Sequence, residues 1–219
     1  MKRRAFAALW LALLGQVLWM LGRSITTHAP GDKALYDSAI VLAFVALAAT
    51  GGRVRRLAAA LRILVGLAFL GSVADRFGLF GPAGASGVSW GDFAHFVAYT
   101  RAVNAFLPVG WAPALAALAT LGEATLGFAL LLGVRPQLAA RGATALLLLF
   151  AIAMAASLGF AAPFPYAVWV LAAGAWALAT IDASALGLDA YLARRVSHGR
   201  PLATPQGGAR TIGATRDGR

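Results

Sequence analysis

One carboxylate, Glu123, stands in the apolar run ATLGEATLGFALLLG, and an ionisable group in such a setting needs a cation, a hydrated cavity or a proton. Counted from Pro113 at about 1.5 Å per residue, it falls about 15 Å into the hydrocarbon of a bilayer, near the midplane. The chemistry open to it is proton exchange or ligand binding; the plainer use is a hydrogen bond that bridges two helices. Arg62 comes early in another apolar stretch, roughly 8 Å deep, where it either snorkels toward lipid, pairs with a carboxylate or binds an anionic headgroup. Asp75 and Arg76 follow near the far end of that stretch. At about 100° per residue Arg76 returns to within about 40° of the direction of Arg62, while Asp75 points elsewhere. Neighbours on a helix do not face each other, so Asp75 and Arg76 are expected to have separate partners. Gly122 and Gly127 flank Glu123 and leave room beside it; with Gly66, Gly71 and Gly133 they are candidates for close helix approach.

Other chemistries are missing from the sequence. The chain has no cysteine, which removes disulfides, thiolate catalysis and Cys-ligated clusters. His28, His95 and His198 are scattered, so neither a bis-histidine haem nor another metal site is expected. Neither a glycine-rich phosphate loop nor an H-E-x-x-H pair occurs.

The elements that must hold these residues are read from hydropathy. Hydrophobic residues make up 60% of the 219 and charged residues 12%, about half the charge of an ordinary soluble domain. Six stretches, 5–22, 35–50, 57–79, 113–132, 138–158 and 165–181, compete for a bilayer, which takes about 20 apolar residues per helix. The second is the weakest, being short and carrying Asp37. The first has the basic start of a signal peptide, but its length, Gln16 and its two tryptophans predict a retained helix.

Six spans with both ends in the cytoplasm put Lys2, Arg3, Arg4, Arg53, Arg55, Arg56, Arg62, Arg135, Arg141 and the arginines after Ala193 inside or at the inner boundary. Only Arg23, Lys33, Arg76 and Arg101 fall on the other side, the asymmetry of an inner-membrane protein. The formal charge of +11 is thereby explained by contact with anionic membrane lipid, and a nucleic-acid partner is not expected.

The longest connection, 80–112, is then external. It opens with turn residues (FGPAGASGVSWGD), after which Ser89 and Asp92 read as a capping box for a short helix. Phe93, Phe96, Val97, Val103 and Phe106 recur at roughly helical spacing between Trp90 and Trp111. Such a helix lies in the membrane interface or forms a lid over the mouth of the bundle; Trp90, His95, Phe96 and Tyr99 are the lid candidates. Beyond Ala193 the Gly-, Arg- and Pro-rich sequence reads as a disordered cytoplasmic tail.

From about residue 57 to 182 the chain resembles the DoxX family of small bacterial and archaeal membrane proteins. The resemblance rests on LRILVGLAFL with Arg62, the helix exit GSVADRFG with Asp75 and Arg76, the segment WGDFAHFVAYTRAVNAFLP, the glutamate helix LATLGEATLGFALLLGVRPQLAARGA, and a closing helix pair joined by SLGF. It implies an all-α, polytopic fold: a four-helix membrane domain over 57–182, two additional helices within 1–56 and a basic tail over 183–219. It also implies a polar pocket under the external segment, lined by Glu123, Arg62 and Asp75, with Arg76 where family members often have lysine. Some members look like subunits of quinone-linked oxidoreductases, which makes quinone the expected ligand. With no electron-carrying centre of its own in view, the chain would then depend on redox partner subunits. Carriage of a small solute or proton is the first alternative, and a catalytically silent assembly or stress-response protein the second.

Overall fold

A computed structural model describes residues 1–27, 34–189, 191 and 195, with the side chains at 26, 27 and 34–37 outside the description. His28, Lys33, His198 and the expected tail beyond Ala193 therefore lie outside the described residues, apart from Arg195. Among the described residues the fold is all-α: α1 Lys2–Thr27, α2 Ala34–Ala49, α3 Arg55–Arg76, α4 Phe93–Val103, α5 Ala112–Leu132, α6 Pro136–Leu158 and α7 Val168–Ala179. Four of these, α1, α3, α5 and α6, are long and apolar enough to cross a membrane.

The second stretch forms a helix as short as the hydropathy suggests, and the sixth a shorter one. The 16 residues of α2 and 12 of α7 rise only about 24 and 18 Å, against about 30 Å of hydrocarbon. Local chemistry shortens α7. Pro163 and Pro165 shape a 3-10 turn over Phe164–Tyr166, and Ala167 takes a left-handed φ of 49°, so α7 begins only at Val168.

The helices run up and down between two ends. Lys2, Arg55, Arg135 and the 180–189 segment gather at one end: Arg55 pairs with Asp182 at 2.5 Å, and Asp189 accepts the Arg135 backbone N–H at 2.7 Å. Phe6 and Ile181 close around Gly52 at the same end. Most of the described basic residues lie there, including Arg3, Arg4, Arg53, Arg56 and Arg141. The other end carries α4 and its flanking loops.

Helix pairs α3/α5 and α6/α7 make the most intimate contacts, and α5 joins them through α6. Lipid-like surroundings offer no hydrophobic drive between helices, so close backbone approach matters most. Between α3 and α5 it depends on Gly66 and Gly127: a Cβ on Gly66 would lie 2.9 Å from the Gly127 carbonyl oxygen, and one on Gly127 would lie 2.9 Å from Leu70. Gly174 of α7 similarly makes space for the ring of Phe44 from α2. The other candidates differ: Gly71 has open space beside it, and Gly122 meets Leu146 at an ordinary 3.5 Å.

The two N-terminal helices belong to the same core. Leu9 and Leu13 of α1 and Phe44 and Leu47 of α2 share one buried apolar cluster with α3, α6 and α7. Gln16 of α1 ties that helix to the break before α7, donating to the Phe164 carbonyl at 3.0 Å. Outward faces are apolar, with Leu121 and Leu149 each 64% exposed, as hydrocarbon contact requires.

Candidate functional site

Arg76 and Glu123 meet. Arg76 Nη2 lies 2.6 Å from Glu123 Oε1, and each side chain is only 2% exposed. Arg76 closes the last turn of α3, and Glu123 sits about halfway along α5, so the close approach at Gly66 and Gly127 sets the pair's separation. Arg76 also donates to Thr120 Oγ1 at 2.9 Å and Ser72 Oγ at 3.0 Å. Both hydroxyls are one helical turn from a member of the pair, and the Thr120 hydroxyl donates to the Ala116 carbonyl at 2.8 Å.

Aromatic rings cover the guanidinium. The Phe96 ring centre is 3.5 Å from Arg76 Cζ and that of Trp90 is 5.2 Å away, positions from which the ring quadrupoles attract the cation. Trp90 meets Phe96 edge-on at 5.2 Å and Tyr99 at 6.1 Å. Asp75, the neighbour of Arg76, faces the loop instead: its Oδ2 accepts the backbone N–H groups of Ser89 and Trp90 at 2.9 and 3.0 Å. One residue of α3 thus holds the loop while the next holds α5, the separate partners expected of adjacent helical positions. Gly91 makes the fold of this loop possible, since its φ is +72° and a Cβ would strike the backbone of Pro82 and Ala83.

The capping box is not formed. Ser89 is engaged with Asp75, and the N-cap of α4 is Asp92, which accepts the His95 backbone N–H at 2.8 Å. The His95 ring lies 2.8 Å from the same carboxylate. These contacts, the backbone N–H foremost, hold the Asp92 carboxyl below the usual carboxylate range. His95 is on the exposed side of α4 and does not reach the site, because the buried face is Phe96, Thr100 and Val103. That face turns toward α5 and α6, so α4 roofs the bundle.

Beneath α4 lies a cavity of about 1010 Å³. Trp90, Phe96, Tyr99, Thr100 and Asn104 line its roof, Asp75, Arg76, Ser72 and Glu123 one wall, and Leu64, Leu67, Leu118, Leu146, Leu149, Phe150 and Leu171 much of the rest. Leu67, Leu118 and Leu149 also form part of the exposed apolar flank, so the cavity communicates with the surface that hydrocarbon would cover. Burial pushes the Tyr99 phenol above its ordinary value, with Tyr166 adding to the effect.

Arg62 is elsewhere. Fully buried, it donates through Nη1 to the carbonyls of Leu130 and Leu131 and through Nε to that of Ala183 at 3.0 Å. These are unpaired carbonyls of the last turn of α5 and the segment after α7, so Arg62 caps a helix C-terminus. It belongs to the basic end, not to the pocket that the family resemblance implies for it, because it opposes Leu130 two turns from Glu123. Gly133 ends α5 in the left-handed region at φ +71°, and a Cβ there would lie 2.7 Å from Arg62 Nη1.

Ser72, Asn104 and Tyr166 join the cavity wall, and Thr120 holds Arg76 beside it, without having been singled out in the sequence. Ser72 and Thr120 carried a usable signal, standing four residues before Arg76 and three before Glu123 on polar-poor helices. Among the described residues no cluster suited to a metal ion occurs. Comparison with protein-family models, curated proteins and solved structures finds no match for this chain.

Proposed function

We propose that this chain is a DoxX-like protein of a bacterial or archaeal cytoplasmic membrane, with both termini cytoplasmic. It binds a quinone-class redox lipid and serves as an accessory subunit of a membrane oxidoreductase. The observation that carries this reading is the union of a large, mostly apolar cavity with a single charged pole. Its volume of about 1010 Å³ is at the upper end of small-molecule sites. The residues fit such a ligand: a headgroup would meet Arg76, Glu123 and the aromatic roof, while an apolar tail would leave between Leu67, Leu118 and Leu149 toward lipid. Glu123 Oε2, Asp75 Oδ1 and Arg76 Nε are enclosed without a hydrogen-bond partner among the described residues, which leaves two strong acceptors and one donor nitrogen at the pole.

The bound lipid would supply the two-electron chemistry, with the electrons exchanged by a partner subunit. The chain's own part is to orient the headgroup, exclude water and hold the Glu123 carboxyl ready to exchange a proton at Oε2. Gentle purification from native membranes, with mass spectrometry of the lipids and proteins retained, tests this. A quinone-class lipid, in either redox form, and redox subunits are expected with the wild type. If neither quinone nor a redox partner is retained by the wild type, this reading fails and solute transport or membrane assembly takes its place.

A further inference from the structure

Resting on the reading of the cavity as a redox-lipid site, we infer that its charged pole selects the reduced form, a quinol, over the oxidised quinone. The first ground is the count of unused hydrogen-bonding atoms. Glu123 Oε2 and Asp75 Oδ1 are buried acceptors without partners, while Nε is the one Arg76 nitrogen without a partner. Asp75 and Glu123 are 4% and 2% exposed, and both line the cavity. A contact of 2.6 Å to a guanidinium, which keeps its charge, is the geometry of an ionised carboxylate. Two unpartnered carboxyl oxygens against one unpartnered donor nitrogen mean that the pole favours a ligand that donates protons into hydrogen bonds. A quinol carries two such hydroxyl groups; a quinone offers only acceptors, which would face unpaired carboxylate oxygens.

The second ground is the guanidinium face. It already holds an aromatic ring, Phe96, at 3.5 Å from Arg76 Cζ. A headgroup that approaches Oε2 comes beside this cation, which prefers an electron-rich aromatic face. The quinol ring is aromatic and electron-rich, whereas the quinone ring is neither. Both features act in the same direction: the acceptors choose the hydroxyl groups and the cation chooses the ring.

The test is retention of decylubiquinol and decylubiquinone by the wild-type protein in lipid nanodiscs under anaerobic conditions. Each form is quantified by chromatography after extraction, and its partition into protein-free discs is subtracted. The quinol is expected to bind at least about tenfold more tightly, the effect of one additional charge-assisted hydrogen bond. That ratio would raise the two-electron potential of the bound couple by about 30 mV. Glu123→Gln, which exchanges an acceptor for a donor, is expected to bring the ratio within about threefold of unity; Asp75→Asn serves if that protein does not fold. Equal retention of the two forms by the wild type, or tighter retention of the quinone, overturns the selectivity while leaving the redox-lipid reading intact. Retention of neither form above protein-free discs overturns both.

Discussion

A buried arginine and a buried glutamate depend on each other in a way that exposed ion pairs do not. With Arg76 and Glu123 each 2% exposed, removing one strands the other without solvent, a loss of about 3–5 kcal/mol, whereas replacing both with apolar residues is often close to neutral. Glu123→Ala is therefore expected to lower stability in detergent by about that amount, and Arg76→Met with Glu123→Leu to recover most of it. Equal losses in the single and double variants would mean that the two side chains are not coupled. Arg62 makes a contrasting case. Arg62→Ala leaves carbonyls at the end of α5 without their donor and is expected to cost about 3–6 kcal/mol, two charge-assisted hydrogen bonds' worth, yet to leave ligand retention unchanged. A lost ligand in a stably folded Arg62→Ala protein would return Arg62 to the pocket. The importance of Glu123 is legible in the sequence because a lone charge in an apolar run has few explanations. Its partner is not, because partnership depends on which helices are neighbours and on their axial offset. Arg62 and Arg76 share a direction, and only the register of α3 against α5 assigns one to Leu130 and the other to Glu123.

Register is a property of elements, and Gly66 and Gly127 hold it. Gly66→Ala is expected to destabilise the fold by about 1–3 kcal/mol, the ordinary cost of overpacking, because its Cβ would sit 2.9 Å from a backbone oxygen. Gly71→Ala on the same helix meets nothing within 4 Å and is expected to be neutral or slightly stabilising. Unfolding of the two variants side by side checks this, and an equal loss at Gly71 would remove close packing as the cause. The roof helix has its own control at Asp92. Its folded-state carboxyl titrates below the usual range, so the cap contributes fully above the ordinary carboxylate pKa and is lost as pH falls through the depressed value. Hydrogen exchange over 93–96 is accordingly expected to quicken on acidification relative to Asp92→Asn at the same pH, since an amide caps without titrating. Identical pH profiles would show that the cap does not govern the helix start. Hydropathy alone finds the apolar stretches that become α2 and α7 but overstates the helix at Pro165, because the prolines and left-handed Ala167 act on dihedral angles that apolar content does not register. The capping box fails for a related reason: Ser89 has the right spacing from Asp92, but Asp75, distant in sequence, takes its backbone N–H.

For the whole molecule, the decisive arrangement is the separation of charge between two ends. The turns at 50–54 and 133–135 and the 180–189 segment meet at the basic end, while the α4 roof and the cavity's charged pole lie toward the other. On the proposed orientation, in which the excess of lysine and arginine marks the cytoplasmic side, the roof would face outward and a ligand tail would enter from lipid. The absence of cysteine makes this directly measurable with single introduced thiols. Val54→Cys lies at the basic end immediately before α3, and Ser86→Cys lies in the exposed loop that follows it. Only α3 separates the two positions along the chain. In intact cells a membrane-impermeant maleimide is expected to label Ser86→Cys at once and Val54→Cys only after permeabilisation. The reversed pattern would keep α3 as a crossing helix but invert the protein, moving the roof and the route to Glu123 into the cytoplasm. Labelling of both positions from outside would mean that α3 does not cross; the cavity flank at Leu67 and Leu149 would then face water, and entry of an apolar tail from the bilayer would lose its physical basis.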